Sequence, residues 1–402
     1  MQEKRLLIVD DDARIGRLAQ RALKSAELVS QVLDDPLAFE SVYASFRPDI
    51  ILLDLQMAQR DGVQLLRYLA DQDSSAGIVL MSGIDERIIN TSKRLGESLG
   101  LNILATLQKP LELAALQRVL EAFYRAERSS PSVIQLIAQG ELEEAIHNGA
   151  ILPYYQPQLD LRTLQVTGAE VLARWHHPQH GLLPPADFIA LAESTGLIEA
   201  LTFSLLRQAL QDFNFLLAVQ PGLRLSVNLS PLLLEDLELP ERIHTLLEDH
   251  GVEPSQLALE ITESVRAPMP SRSMDILTRL RLKGIALSYD DLGKGYASVD
   301  QLYYLPFSEL KVDKEYVIDL RRSADAAAIV RSTIELGQRL NLRVVAEGIE
   351  TSESLMQLRA LGCHAGQGRY FSLPLPLREI LGWLERWQQR RAGLPEADAG
   401  GL

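Results

Sequence analysis

The sequence predicts an α/β chain of two units: a doubly wound five-stranded parallel domain, then a TIM-type (β/α) barrel. Three observations predict it. Short apolar runs alternate with helical stretches before residue 124, and do so again from Ile151 to about Trp387. The stretch Arg128-Ser129-Ser130-Pro131 is the clearest linker signal between them. Polar groups recur where the apolar runs end, which is where α/β sheets carry their sites. A length of 402 residues suits two domains, and 47% hydrophobic with 23% charged residues is ordinary for a chain with full cores.

In the first unit the candidate strands are Leu6–Val9, Leu28–Leu33, Ile50–Leu53, Ile78–Met81 and Ile103–Leu107. Helical stretches separate them, among them Ala13–Lys24 and Gly62–Ala70. Five βα units of this length make a doubly wound sheet. The last helix spaces Leu113, Leu116, Leu120 and Phe123 three or four apart, which gives it one apolar face. The expected boundaries are 1–124 for this domain, 125–134 for a linker, 135–390 for the barrel and 391–402 for a polar, Gly/Ala-rich disordered tail.

The barrel half begins with an amphipathic segment, Val133 to His147, stopped by Asn148-Gly149. From Ile151 strand and helix are expected to alternate. Buried-strand runs include Leu225-Ser226-Val227, Leu257-Ala258-Leu259, Ile285-Ala286-Leu287 and Leu342-Arg343-Val344-Val345. At or near the ends of such runs stand Glu170, Asn228, Glu260, Asp290, Asp291, Lys311, Asp313, Glu347 and Gln367. Acids at strand ends converge in space although they are distant in sequence. Converging carboxylates repel unless cations neutralise them, so the pattern points to divalent metal and to phosphate-ester chemistry.

Several classes are excluded. No window approaches the roughly 18 apolar residues of a membrane span, and the apolar stretch Leu6 to Val9 is too short for a signal peptide. The single cysteine, Cys363, forms no intrachain disulfide. Together these predict a cytoplasmic protein without a membrane partner. The formal charge of −14 disfavours duplex nucleic acid, whose binding depends on Lys and Arg neutralising phosphates. An anionic substrate still fits where metals or local bases invert the field.

The first acidic cluster is Asp10-Asp11-Asp12 after the first strand and Asp54 after the third, with Ser82 after the fourth and Lys109-Pro110 after the fifth. With Ile8-Val9-Asp10-Asp11-Asp12, Ile51-Leu52-Leu53-Asp54, Leu80-Met81-Ser82 and Lys109-Pro110, the first domain resembles a response-regulator receiver domain. The resemblance implies that Asp10 and Asp11 hold Mg²⁺ together with Asp54, and that Asp54 accepts a phosphoryl group from a sensor histidine kinase. Ser82 and Lys109 would contact the acyl phosphate. A carboxylate is a weak nucleophile, and Mg²⁺ with lysine offsets the incoming charge. The pattern departs from the family at Thr106, where an aromatic is common, and at Ala58, where proline is usual.

The second half resembles the EAL family of cyclic di-GMP phosphodiesterases from about Ala150 to Leu375. The matching stretches are Tyr155-Gln156-Pro157, Glu170-Val171-Leu172-Ala173-Arg174-Trp175, Val227-Asn228-Leu229-Ser230 and Leu259-Glu260-Ile261-Thr262-Glu263. Further along come Asp290-Asp291-Leu292-Gly293, Leu310-Lys311-Val312-Asp313, Ala346-Glu347-Gly348-Ile349-Glu350 and Gly366-Gln367-Gly368. The resemblance implies two Mg²⁺ or Mn²⁺ ions. Glu170, Asn228, Glu260 and Asp290 would surround one; Asp290, Asp291 and Glu347 would serve the other. Lys311 would steady the water or the phosphate, Asp313 would orient nearby groups and Gln367 would bind near the second ion. Glu347 would act as ligand, general base or both. Arg174 would meet a substrate phosphate, Gln156 a guanine edge, and Glu263 would anchor the loop after the paired aspartates. That loop departs from the family at Leu292, Lys294 and Ala297, and Arg369 stands where an aromatic is usual.

Other signals carry less. His176, His177 and His180 lack the companions of a zinc site. Gly293-Lys294-Gly295 is too short for a phosphate-cradling loop. Leu205-Leu206 and Phe213–Val219 read as helix core facing the barrel, and Cys363 as a buried thiol. The expectation is a phosphorylation-regulated, two-metal enzyme that opens cyclic di-GMP to linear pGpG, working as a homodimer or higher homo-oligomer. Its rival is a catalytically silent cyclic di-GMP receptor that signals through a protein partner.

Overall fold

The computed structural model describes residues 4–12, 14, 16, 28–83, 86–111, 115, 116, 118–120, 123, 138–262, 271–290, 302 and 304–392. The chain divides into two units, Met1–Pro131 and Ser132–Leu402.

The first unit is a parallel sheet of β1 (Lys4–Val9), β2 (Leu28–Leu33), β3 (Ile50–Asp54), β4 (Gly77–Ser82) and β5 (Ile103–Gln108), in the order β2-β1-β3-β4-β5. Its central strands are apolar without a break because both faces are covered. Leu7, Val9, Ile51, Leu53, Ile78 and Leu80 pack on one side, against Leu65, Leu66 and Leu69 of α2 (Gly62–Asp71). Leu6, Ile8, Ile50, Leu52, Val79 and Met81 pack on the other, against Leu116 and Leu120. Asp61 caps α2, accepting from Gln64 N at 2.8 Å. Two further helices are α1 (Phe39–Phe46) and α3 (Glu86–Ser98). The expected helix Ala13–Lys24 falls almost wholly outside the described residues, as do Leu113 and the linker 125–134.

In the second unit eight strands close into a barrel: β6 (Ile151–Asp160), β7 (Val166–His177), β9 (Arg224–Asn228), β10 (Leu257–Thr262), β11 (Ala286–Asp290), β12 (Glu309–Val312), β13 (Arg343–Ala346) and β14 (Ala365–Gly366). The short β8 (Gly181–Leu183) pairs with the outer end of β7. β6 runs antiparallel to both its neighbours, and the other ring pairings are parallel. Strict strand–helix alternation from Ile151 is therefore corrected: β6, β7 and β8 follow one another without a helix. The reason lies in the turn at 161–165. Asp160 Oδ1 accepts from Thr163 N at 2.6 Å and from Thr163 Oγ1 at 2.8 Å, and Leu164 adopts φ +55. A tight reversal of this kind joins antiparallel strands and needs no crossover helix.

Helices wrap the outside: α4 (Gln139–His147), α5 (Ile189–Ser194), α6 (Ile198–Val219), α7 (Leu239–Asp249), α8 (Ser271–Leu282), α9 (Lys314–Asp319), α10 (Ala324–Arg339), α11 (Ser352–Ala360) and α12 (Leu377–Ala392). On α6, Leu205, Leu206, Phe213 and Leu216 are buried as expected, but Phe215 is 60% exposed because it projects from the opposite face. α12 is tied across the seam: Trp387 Nε1 donates to Leu164 O at 3.0 Å, and Gln388 Nε2 to Val219 O at 2.9 Å. No helix among the described residues is long and apolar enough to cross a membrane. Residues 393–402 of the expected tail lie outside the described set.

The barrel interior is polar at more than one level. Period-two alternation turns Glu309 and Lys311 of β12 to the same face. Glu309, at the start of the strand, is fully buried and pairs with Arg224 and with Arg343 Nη1 (3.0 Å). Lys311, two residues on, is also fully buried.

Candidate active site

The first cluster forms as the strand ends predict. Ligand oxygens of Asp10, Asp11 and Asp54 all lie within 4.8 Å of one another. Asp10 and Asp54 are buried, whereas Asp11 is exposed and accepts from Ala58 N at 2.9 Å. Lys109 Nζ bridges Asp10 Oδ2 (2.8 Å) and Asp54 Oδ2 (2.6 Å). Burial pushes the Asp54 carboxyl above its ordinary value against the pull of Lys109. Burial also works against the Lys109 charge, but the two acids outweigh it and lift its pKa. Asp12 turns away to Arg14, 2.8 Å distant. Ser82 is buried at the end of β4.

In the barrel the acids arrive on separate strands. Glu170 projects from β7, Asn228 ends β9, Glu260 lies in β10, Asp290 ends β11 and Glu347 follows β13. They gather on one ammonium. Lys311 Nζ stands 2.5 Å from Glu347 Oε1, 2.7 Å from Glu260 Oε2, 3.5 Å from Glu170 Oε2 and 3.8 Å from Asp290 Oδ2. Asn228 Nδ2 donates to Glu170 Oε1 at 3.1 Å. Gln367 Nε2 donates to Glu170 Oε2, and to Glu347 Oε1 at 3.4 Å. Gln156 is cross-strand partner to Glu170 and donates to Ser372 O at 3.0 Å. Asp313 caps α9, accepting from Glu315 N at 2.7 Å.

One ammonium among four carboxyls does not leave all of them ionised. Burial opposes the charge on Glu170, but Lys311, Gln367 and Asn228 hold its carboxyl below the usual range. Burial and the neighbouring Glu170 push Glu260 well above it. Burial raises Glu347 to about 8, with Lys311 pulling the other way and Asp290 adding to the rise. Lys311 is raised well above its ordinary value, the acids outweighing its burial.

The donor types suit a divalent cation, although among the described residues the three acids whose ligand atoms lie within 4.8 Å of one another are Asp10, Asp11 and Asp54, and the barrel acids are spaced around the Lys311 ammonium. Glu260 Oε1 and Gln367 Oε1 are buried, and neither has a hydrogen-bond partner among the described residues. The set is all oxygen, from carboxylates and carboxamides, as hard divalent ions require. Five of these residues, Glu170, Asn228, Asp290, Glu347 and Gln367, line a cavity of about 580 Å³ together with Gln156 and Asp313.

Three expected participants stand differently. Arg174 shares a strand face with Glu170, but its Nη1 donates to Ala173 O at 2.8 Å, its guanidinium lies 5.9 Å from the Tyr154 ring centre, and it is not among the cavity-lining residues. Asp291 and Glu263 lie outside the described residues, as does the departing loop at Leu292, Lys294 and Ala297. The structure also adds residues that the sequence reading missed. Glu193 lines the cavity and accepts from Ser230 Oγ at 2.7 Å, two residues past Asn228. Lys314 lines it as well. The Glu309–Arg224–Arg343 group had a signal in the period-two series Glu309, Lys311, Asp313.

Comparison with known proteins places both halves. Residues 139–374 match the family model described as EAL domain, and residues 6–121 match the response regulator receiver domain. The cyclic di-GMP phosphodiesterase RocR of Pseudomonas aeruginosa is 32% identical over 386 residues, 95% of this chain and 98% of RocR. An uncharacterized signaling protein of Caulobacter vibrioides is 36% identical over 302 residues, 72% of this chain but 37% of that longer protein. The solved structure of the P. aeruginosa MucR phosphodiesterase in complex with c-di-GMP superposes with a TM-score of 0.57 at 37% identity, covering 60% of this chain and 98% of that one.

Proposed function

The chain belongs to the EAL domain family, with a response regulator receiver domain in its first unit, and from that premise we propose that it hydrolyses cyclic di-GMP to linear pGpG with two divalent cations, under control of phosphorylation at Asp54. The observation that carries the reading is the ring of Glu170, Glu260, Asp290 and Glu347 around buried Lys311, with Glu260 Oε1 and Gln367 Oε1 left unbonded among the described residues.

Glu170, Asn228, Glu260 and Asp290 would hold one Mg²⁺ or Mn²⁺, and Asp290, Asp291 and Glu347 the other. Bound there, the pair would polarise the phosphoryl group and lower the pKa of water. The remaining work belongs to the chain. Lys311 fixes the acids against mutual repulsion. Glu347 Oε1, already bonded to the ammonium, would receive the proton of the attacking water as its oxygen bonds to phosphorus and the P–O bond to the ribose breaks, and would pass that proton to the departing oxygen. Gln367 orients Glu170 and Glu347. Gln156 meets a guanine edge, and Arg174 leaves its contact with Ala173 to meet the reacting phosphate. Asp313 holds the rim by capping α9, and, as the family resemblance implies, Glu263 would anchor the loop after Asp291. In the first unit Asp10, Asp11 and Asp54 would hold Mg²⁺, Asp54 would take the phosphoryl group from a sensor histidine kinase, and Ser82 and Lys109 would contact it. The working form is a homodimer or higher homo-oligomer.

Purified full-length protein incubated with cyclic di-GMP and Mg²⁺ or Mn²⁺ should release pGpG on chromatography, and Glu170→Ala should abolish release by removing a ligand. Tight binding with no pGpG, with or without a phosphoryl donor, would leave a silent receptor instead. If Asp54→Asn changed neither rate nor assembly in the presence of a phosphoryl donor, the regulatory part would be wrong.

A further inference from the structure

The cavity must admit a substrate with two negative phosphates, yet its walls are acidic. Among its lining residues Glu170, Glu193, Asp290, Asp313 and Glu347 are acids, and Lys314 and Arg369 are the bases. Lys311 lies beneath, already surrounded by carboxylates. Before any cation binds, the bases among the described lining residues are Lys314 and Arg369.

Arg369 is held there by the backbone. Ile349 N donates to Gln367 O and Tyr370 N donates to Ile349 O, both at 3.0 Å. Gly368 sits so close between them that a Cβ would overlap Ile349 O. This contact locks the turn after β13 to the turn after β14. It sets Glu350 Oε2 2.7 Å from Arg369 Nη2. Gln367, two residues before, is 3% exposed in the acid cluster, whereas the Arg369 side chain is 64% exposed. One carboxylate occupies part of a guanidinium that carries five N–H donors. On the same rim Lys314 is packed by its Cα and Cβ against Gly348 (φ +67), next to Glu347. Its ammonium has no ion-pair partner among the described residues, and the residue is exposed.

Resting on the phosphodiesterase reading above, we propose that Arg369, assisted by Lys314, binds the non-reacting phosphate of the cyclic dinucleotide, so that the rim selects a two-phosphate ring over a single phosphodiester. The guanidinium offers a planar two-point fit to phosphate that an ammonium cannot reproduce. Glu350 holds it in place while the site is empty and limits its drift toward the acids below.

The test uses the full-length protein with Mn²⁺ and two substrates, cyclic di-GMP and bis(p-nitrophenyl) phosphate, which carries one phosphate. Arg369→Ala should raise KM for cyclic di-GMP about tenfold with little change in kcat, as expected for loss of one charge-assisted contact. Arg369→Lys should fall between. The ratio of kcat/KM for cyclic di-GMP to that for bis(p-nitrophenyl) phosphate should drop by about the same factor. In Ca²⁺, Kd for cyclic di-GMP by calorimetry should weaken in parallel, which reads the contact even if turnover is slow. An unchanged KM and Kd, or an equal loss on both substrates, overturns the assignment. Wild-type protein that neither binds nor cleaves cyclic di-GMP overturns the activity itself, and this assignment with it, before any variant is compared.

Discussion

Lys311→Met asks what holds four acids together in the absence of metal. Methionine keeps most of the stem and removes the charge. In the wild-type chain Nζ lies 2.5 Å and 2.7 Å from Glu347 and Glu260, with Glu170 and Asp290 within 3.8 Å, and the group is fully buried. Removing one partner from a buried ion pair costs about 3–5 kcal/mol. In a domain of this size each kcal/mol moves Tm by roughly 2–4 °C, so the variant should melt about 6–20 °C lower in EDTA. Protonation of the freed carboxyls draws the effect toward the lower end of that range. Divalent cation then does the work that the ammonium did, so added Mn²⁺ should raise Tm more in the variant than in the wild type. Scanning calorimetry in EDTA and along a Mn²⁺ series reads both. A variant that melts within about 1 °C of wild type in EDTA, or gains no more from Mn²⁺, refutes the view of Lys311 as the resident counter-charge.

Gly368→Ala should destabilise by about 1–3 kcal/mol, because the new methyl meets the Ile349 backbone rather than a side chain able to move. Gln367 and Arg369 should shift with it and turnover should fall. Gly140→Ala, in open space on α4, should leave both Tm and rate at or above wild type, and equal behaviour of the two variants would discard the clamp. Burial pushes the Cys363 thiol up to about 12, so iodoacetamide at pH 8 should leave the folded protein unlabelled and add one equivalent in urea; rapid labelling of the folded chain would show the thiol to be accessible.

Much of the site was legible because chemistry and periodicity coincide. Asn228 and Asp290 close apolar runs, and Glu260 and Lys311 lie within them, so a parallel barrel had to bring them to one end. The five strands of the first unit were legible for a related reason: runs such as Leu6 to Val9 are apolar on both faces, as a covered parallel sheet demands. Direction was not legible. Side-chain periodicity is the same whichever way a strand runs, so β6 gave no sign of its reversal. Nor does spacing report where a long side chain settles: Arg174 lies on the expected face but folds back on Ala173 and Tyr154. The role of Lys311 as hub, rather than as one contact among several, follows from contacts to residues on four other segments of the chain, which no local spacing brings together.

The reversal of β6 also decides where the polypeptide is handed into the barrel. In a barrel with every strand parallel, the first begins at the floor, opposite the chemistry. Here Ile151 pairs with Trp175 at the outer end of β7, while Asp160, at the far end of β6, reaches the floor beside Arg224 and Arg343. The chain leaving α4 therefore joins the barrel at its mouth. A pull, a twist or a few residues inserted ahead of Ile151 would act first on the strand that carries Gln156, opposite Glu170, and only afterwards on the floor. For this topology the incoming chain enters the barrel on the strand that carries Gln156, opposite Glu170, before it reaches the floor.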